Sequence, residues 1–401
     1  MSTVSWDFTP LSPEQELIQR EIGRICDDFD DEYWREHERE NEYPHEFAEL
    51  LAENEWFGAL IPEEYGGSGL GTEEMVVMME EIAASGAGFG GAQAIHGAIY
   101  TSRPLVEHGN ERIREEILPE LASGNATIQS LGLTEPNAGS ESTAIETTAE
   151  REGDEYVING QKIWTSRLDV SDYMLLVART KSHEEATSKT DGISMFLVDM
   201  EDAKDQGAID MKSIPKTSLN LSHSFEVWFD SLRVPVENRI GEEHKGFYYL
   251  LDGLNDERLV IASECIGHAK LAIDRAVQYA GEREVFDRPI GKNQAIQHPL
   301  ATAYMRTLAT KQLVYETAEL MDVLKRQQVG ILANSSKFLA AEAAYQASDA
   351  AVQTHGGFGV AREYDVERYF RNARIARIAP ISQELTLNYV GEKALGLPRS
   401  F

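Results

Sequence analysis

Cysteine is almost absent from this chain. Cys26 and Cys265 are the only two in 401 residues, and both fall in helical patterns, which fits a reducing compartment and leaves no metal-ligand spacing. Positive charge is scarce as well. The chain carries 68 Asp and Glu against 37 Lys and Arg, a formal net charge of -31, so its surface repels nucleic acid. A DNA-binding role would need a concentrated basic patch, which the sequence lacks. No apolar run is long enough to span a bilayer, and the opening MSTVSWDFTPLSPEQ has no basic stretch followed by an apolar one. The expectation is a cytoplasmic protein that engages neither membrane nor nucleic acid. Internal repeats, low-complexity tracts and metal-binding clusters are missing too.

What is present is an ordinary globular composition, 42% hydrophobic, with material for a core and for two or three domains. The acidic residues are spread along the chain and arginine outnumbers lysine, a balance suited to high salt; plain colloidal solubility is the alternative. Residues 1–125 follow a helical pattern that opens with Ser12 as N-cap and Pro13 at the first helical position, breaks at Pro62–Gly69 and resumes from Met75 to Ala84. Gly86–Gly91 matches the spacing GxGxxG but follows a helix, whereas a dinucleotide fingerprint follows a strand; its expected role is close helix packing or a bend. Over residues 126–240 the period changes to two, with strands at Tyr156–Gly160, Tyr173–Ala178, Ile193–Val198 and Phe225–Phe229. From 241 to 401 long helices return, with Gly330 and Thr354–Gly359 as breaks. The fold class is therefore α+β and multidomain: an N-terminal all-α domain, a central β-barrel-like domain and a C-terminal four-helix bundle.

One stretch, Gly246 to Arg283, places carboxylates on a face that should be buried. Phe247, Leu250, Leu254, Ile261, Ala269, Ala272, Ala276 and Ala280 recur at helical steps. Glu257 lies on that stripe, and Glu264 shares it two turns later. A buried carboxyl has a raised pKa and suits a general base; alternatively, each acid pairs with a basic residue across a helix interface.

Four motifs then fall in one order. Leu131-Gly132-Leu133-Thr134-Glu135-Pro136-Asn137-Ala138-Gly139-Ser140 resembles the flavin-contacting loop of the acyl-CoA dehydrogenase family. Lys162-Ile163-Trp164-Thr165-Ser166 resembles the strand that covers the flavin ring. Arg283-Glu284-Val285-Phe286 with Gln294-Ala295-Ile296-Gln297 resembles the segment that reaches the FAD pyrophosphate and adenine across a subunit contact. Gln353-Thr354-His355-Gly356-Gly357-Phe358-Gly359 resembles the family's glycine-rich turn; no GxSxG elbow accompanies it to suggest an esterase.

The resemblance implies FAD as cofactor, an acyl-CoA substrate, a homotetramer and an electron-transfer flavoprotein as acceptor. It assigns Leu133, Thr134, Trp164, Ser166, Arg283, Phe286, Gln294, Gln353, Gly356, Gly357, Ser382 and Glu384 to the cofactor and Ser140 and Arg258 to the CoA substrate. The family reaction is α,β-dehydrogenation: a carboxylate takes the α-proton and the flavin takes the β-hydride. Many members carry that carboxylate near the C-terminus, where this chain has Pro380 in Ile378-Ala379-Pro380-Ile381-Ser382-Gln383-Glu384. Relatives such as isovaleryl-CoA and long-chain acyl-CoA dehydrogenases carry it on the helix before an arginine, as Glu257-Arg258 does here, so resemblance and periodicity select Glu257. Two positions depart from the family pattern. Val285 stands where a threonine is usual, and Pro380 has no N–H to polarise the thioester carbonyl, a task that passes to another amide such as that of Ile381 or to a flavin hydroxyl. Same-fold alternatives are an enoyl-CoA reductase, a flavin oxidase or a monooxygenase; a DNA-associated relative conflicts with the charge.

Overall fold

The structure is a computed structural model that describes residues 4–400. Met1–Thr3 and Phe401, and with them the start of the N-terminal stretch read above, lie outside the described residues, as does the side chain of Asp252.

Helices α1 (Pro13–Asp27), α2 (Asp31–Glu40), α3 (His45–Glu53), α4 (Thr72–Ala84), α5 (Gly88–His108) and α6 (Leu118–Ala122) form the first part. Ser12 caps α1 as its sequence implies: its Oγ accepts from the Gln15 N–H at 3.2 Å and the Gln15 side chain accepts from the Ser12 N–H at 3.0 Å. The GxGxxG segment opens α5. At Gly91 a Cβ would stand 3.0 Å from the Trp34 ring, so the glycine serves close packing, as expected.

The strands are β1 (Ile128–Gly132), β2 (Thr148–Glu152), β3 (Glu155–Ser166), β4 (Tyr173–Arg179), β5 (Ile193–Asp199), β6 (Ile209–Ser213), β7 (Ser224–Pro235) and β8 (Arg239–Ile240), with the short helix α7 (Met200–Asp205) after β5. One sheet orders them β6-β7-β3-β2-β4-β5-β8, and β1 lies parallel to β4. β3 and β5 are three positions apart, roughly 14 Å in a flat sheet, yet the Tyr156 and Phe196 rings meet at 4.9 Å. The sheet therefore curls around a core that includes Met174, Leu176, Phe225 and Val227. Its other face carries Leu175, Val177 and Met195 against Leu105 of α5 and residues that lead into the last part.

That last part contains α8 (Gly246–Glu282), α9 (Gln294–Glu319), α10 (Arg326–His355), α11 (Val366–Ala373) and α12 (Gln383–Lys393). α8 ends within one residue of the predicted stretch. Its middle departs from a one-faced stripe, since residues 259–273 are buried on every side because α4, α5, α9 and α10 all pack against it. Buried polar pairs fix this register. Glu80 of α4 accepts from Lys270 of α8 at 2.8 Å and from Lys311 of α9 at 2.7 Å. His268 of α8 accepts from the Phe89 N–H at 3.0 Å and donates to the Tyr369 carbonyl at 2.9 Å; burial lowers its pKa to about 4, so the ring is neutral. One predicted break is corrected. Gly330 lies inside α10, where a Cβ would come within 2.4 Å of the Tyr389 hydroxyl; close packing, not a chain break, is what it serves.

Candidate active site

Glu257 sits on α8 between Leu254, which borders the same apolar cluster as Leu131, Leu133 and Ala138 of the flavin-type loop, and Ile261, which belongs to the helical core. It is 6% exposed. Burial raises its pKa, and nearby His96 when protonated, with the positive charges of Arg258, Arg167 and Lys337, offsets part of that rise. Among the described residues no hydrogen-bond donor reaches its carboxylate. Glu264, fully buried two turns later, is different: its carboxylate accepts from His96 Nδ1 at 2.9 Å and from Gln93 Nε2 at 3.0 Å. Of the two alternatives that the sequence offered for these acids, pairing across a helix interface describes Glu264, while Glu257 has no such partner among the described residues.

The loop before Ser140 is locked from below. Glu135 accepts from Lys162 Nζ at 2.7 Å and from the backbone N–H groups of Glu146 and Thr147 at 2.6 and 2.9 Å, while Lys162 also donates to the Leu133 carbonyl at 3.1 Å. Burial pushes Glu135 upward, but Lys162 outweighs it and the carboxyl lies below its ordinary range; Lys162 falls to about 8 through burial. Thr134 offers its carbonyl to the Ile163 N–H at 2.8 Å, so loop and strand hold each other. Between Lys162 and Thr165 the register of β3 shifts and Trp164 takes φ 61°, which turns the indole out of the sheet and leaves it 54% exposed. Ser166 pairs with Ser224 hydroxyl to hydroxyl at 2.9 Å. Ser140 is exposed, and Arg258 donates to Asn255 Oδ1 at 2.8 Å while its Nε stays buried without a partner.

The loop around Pro380 approaches from the other side. Fully buried Lys337 of α10 donates to the Ile381 carbonyl at 2.6 Å, and burial lowers its pKa to about 8. The Ile381 N–H meets no acceptor among the described residues. Ser382 caps α12, its Oγ accepting from the Leu385 N–H at 3.3 Å, so its hydroxyl proton stays free to donate. Glu384 is exposed.

The remaining cofactor candidates lie elsewhere. Arg283 follows the end of α8, roughly 39 Å from Glu257 along the helix (26 residues at 1.5 Å each). Its guanidinium lies 6.0 Å over the Phe358 ring, and Phe286 is 93% exposed. Gly356 has φ 61°, and a Cβ at Gly356 or Gly357 would meet nothing within 4 Å. Gln294 begins α9 and Gln353 lies in the last turn of α10. A single chain thus does not bring all the predicted cofactor residues together; it presents two half-sites.

Each half-site fits part of FAD. Around β3, an exposed indole with loop backbone and hydroxyl groups suits an isoalloxazine. Around Arg283, a guanidinium beside two glycines with open space suits a diphosphate. Sequence reasoning missed His96, Tyr100, Arg167 and Lys337, which interact electrostatically with Glu257, Gln93, which joins Glu264 to Arg167, and the Glu135–Lys162 lock. His96 does fall three residues after Gln93 and four before Tyr100 on the largely apolar first half of α5, the one pattern that could have signalled them.

Three family models cover nearly the whole chain: the N-terminal, middle and C-terminal domains of acyl-CoA dehydrogenase, over residues 12–125, 130–231 and 244–395. The chain is 34% identical over 393 residues to the acyl-CoA dehydrogenase FadE12 of Mycobacterium tuberculosis, covering 97% of this chain and 98% of that one. It is 33% identical over 364 residues to a 3-(aryl)acrylate reductase of Clostridium sporogenes, covering 91% and 92%. Among solved structures, butyryl-CoA dehydrogenase from Megasphaera elsdenii superposes with a TM-score of 0.89 at 28% identity, covering 96% of this chain and 99% of that one. Sequence and fold agree, and the chain belongs to the acyl-CoA dehydrogenase family, FAD-dependent oxidoreductases that act on CH–CH bonds.

Proposed function

We propose that this protein dehydrogenates an acyl-CoA thioester to the 2-enoyl-CoA, with Glu257 as the base. The observation that carries this is the buried carboxylate of Glu257, free of hydrogen-bond donors among the described residues and with a raised pKa, on the helix whose Leu254 borders the apolar cluster of the flavin-type loop and near Lys337, which holds the Ile381 carbonyl. In water a carboxylate is too weak a base for an α-proton; burial raises its basicity, and the cations around it limit that rise. Leu133, Thr134, Trp164, Ser166, Ser382 and Glu384 would hold the flavin end of FAD, which when bound accepts the β-hydrogen as hydride. Arg283, Phe286, Gln294, Gln353, Gly356 and Gly357 would hold the rest of a cofactor belonging to a second copy. The ~39 Å between the half-sites and the exposed Phe286 support a homotetramer. Ser140 and Arg258 would meet the CoA part.

Pro380 removes one amide from the carbonyl site, and the unpartnered Ile381 N–H is the nearest replacement along the chain. An electron-transfer flavoprotein would receive the electrons. Among the described residues no helix is long and apolar enough to cross a membrane; a reducing, cytoplasmic setting is consistent with the buried free thiols of Cys26 and Cys265, and a high-salt setting with the charge of -31.

A second reading, an enoyl-CoA reductase using the same residues in reverse, is favoured by Pro380 and by the reductase from Clostridium sporogenes. Anaerobic titration of the flavin-loaded protein with saturated and branched acyl-CoAs tests the proposal. Bleaching of the flavin band by one chain class is the expected result. If no acyl-CoA bleaches it, while enoyl-CoAs reoxidise the reduced protein, the reductase reading replaces it.

A further inference from the structure

The buried groups near Glu257 are polar, and this bears on which acyl group fits there: Glu257 feels His96 and Arg167 and itself raises the pKa of Tyr100. A thioester held with its CoA part at the exposed Ser140 and its α-carbon at Glu257 directs the atoms past its β-carbon inward, toward the face of α5 that carries Gln93, His96 and Tyr100. All three are at least nine-tenths buried. A saturated hydrocarbon tail would call for an apolar lining there.

Arg167, 3% exposed, is the unusual member of this cluster. It follows the flavin-covering strand directly and is held at φ 59°, left-handed backbone that costs a non-glycine residue and persists where surrounding structure demands it. Its guanidinium donates to three neutral oxygens: the Gln129 carbonyl at 3.3 Å, Gln93 Oε1 at 3.0 Å and Ser222 Oγ at 3.3 Å. Among the described residues no carboxylate lies within ion-pair distance of it. Lys216 stands on the other side of Ser222, donating to that residue's carbonyl and, at 3.1 Å, to Ser224 Oγ, again without an ion pair. In a chain with nearly twice as many acids as bases, Arg167 is a buried cation whose direct hydrogen-bond partners are all neutral and whose charge is felt by Glu257, whereas half-buried Lys216 also feels Glu38 and Asp169. His96 adds a complementary group. Glu264 engages its Nδ1, and its Nε2 has no partner among the described residues; in a neutral ring that nitrogen accepts.

We infer that this pocket selects acyl groups that carry an oxygen function beyond the β-carbon, which receives a hydrogen bond from Arg167 and, where it is a hydroxyl, donates one to His96. The inference rests on the acyl-CoA reading above and refines its substrate class. The remote contact would act as binding energy that positions the α-carbon over Glu257.

The test compares, on the flavin-loaded protein, matched short acyl-CoAs that are plain, ω-hydroxylated or ω-carboxylated. Flavin bleaching gives kcat/KM, and the rise in unfolding temperature on binding gives a ranking that needs no chemistry. At least one oxygenated thioester should exceed its plain counterpart by about tenfold or more, the ratio a well-made hydrogen bond to a charged donor gives. A hydroxyl preference assigns a donor-acceptor pair with His96; a carboxyl preference assigns the charge of Arg167. Plain chains that equal or beat both in the wild type overturn the inference, and this comparison requires no variant to fold. In Arg167→Gln the oxygenated-to-plain ratio should collapse toward one. An equal loss on both classes makes Arg167 a structural tie and also overturns it. Absence of bleaching by every thioester counts against the dehydrogenase reading, while the binding ranking still decides this one.

Discussion

Glu257 and Glu264 occupy one helix, two turns apart, and both are buried, yet they are opposite kinds of acid. Glu264 is enclosed by donors, with His96 on one oxygen and Gln93 on the other. Glu257 has cations near it but no donor on it. A carboxylate whose oxygens are engaged by donors is committed to structure; one that is desolvated and bare is a better proton acceptor and costs stability. The difference comes from the neighbouring helix α5, whose Gln93 and His96 face Glu264.

That contrast can be broken by substitution. The largest effect is on turnover: Glu257→Gln should lower kcat by a factor on the order of 10² to 10⁴, measured with whichever acyl-CoA reduces the wild-type flavin, while FAD and thioester binding persist. Next is a stability effect at a third buried acid of the paired kind. Glu80→Gln strips one partner from Lys270 and Lys311 and should cost about 3–5 kcal/mol in denaturant unfolding. Those lysines outweigh burial and lower Glu80 to about 2 from an ordinary 4.5. Its contribution is therefore present above pH 4.5 and lost as pH falls toward 2, so the gap between variant and wild type should close across that interval.

Glu264→Gln should follow, at about 1–3 kcal/mol, because it weakens two charge-assisted hydrogen bonds. Glu257→Gln should have the opposite sign in the same assay. A raised carboxyl pKa in the folded state withdraws stability as pH rises past the unfolded value, so this variant should unfold at a higher temperature than wild type at neutral pH and lose that advantage in acid. The smallest effect concerns the cations. Lys337 lowers the proton affinity of Glu257, so Lys337→Met should move the acid limb of the kcat/KM profile to higher pH. An unmoved limb would separate Lys337 from the base.

Much of this was legible in local sequence. α8 shows because its apolar period runs unbroken from Phe247 to Ala280, and Glu257 is conspicuous as a charge on that stripe. β4, β5 and β7 show because β-branched and aromatic residues alternate or run together in them. What stayed hidden depends on long-range partners. β1 and β6 are short, and β6, IDMKS, is a polar edge strand whose only neighbour is β7. Gly330 reads as a break because a glycine placed for Tyr389 looks the same in sequence as one placed for a turn. The polar cluster was invisible for the same reason: Gln93 and His96 come from α5, Arg167 from the end of β3 and Glu264 from α8, and no local pattern ties them together. Arg167 in particular reads as one more basic residue at a strand end until its neighbours prove to be neutral oxygens.

The central claim is that Glu257 is the group that takes the α-proton. The most direct measurement is deuterium incorporation at the α-carbon of an acyl-CoA in heavy water, followed by NMR for the flavin-loaded wild type and for Glu257→Gln, because it reads proton abstraction without regard to the electron acceptor. The account predicts exchange with the wild type and none above background with Glu257→Gln. Exchange by Glu257→Gln at the wild-type rate would contradict it.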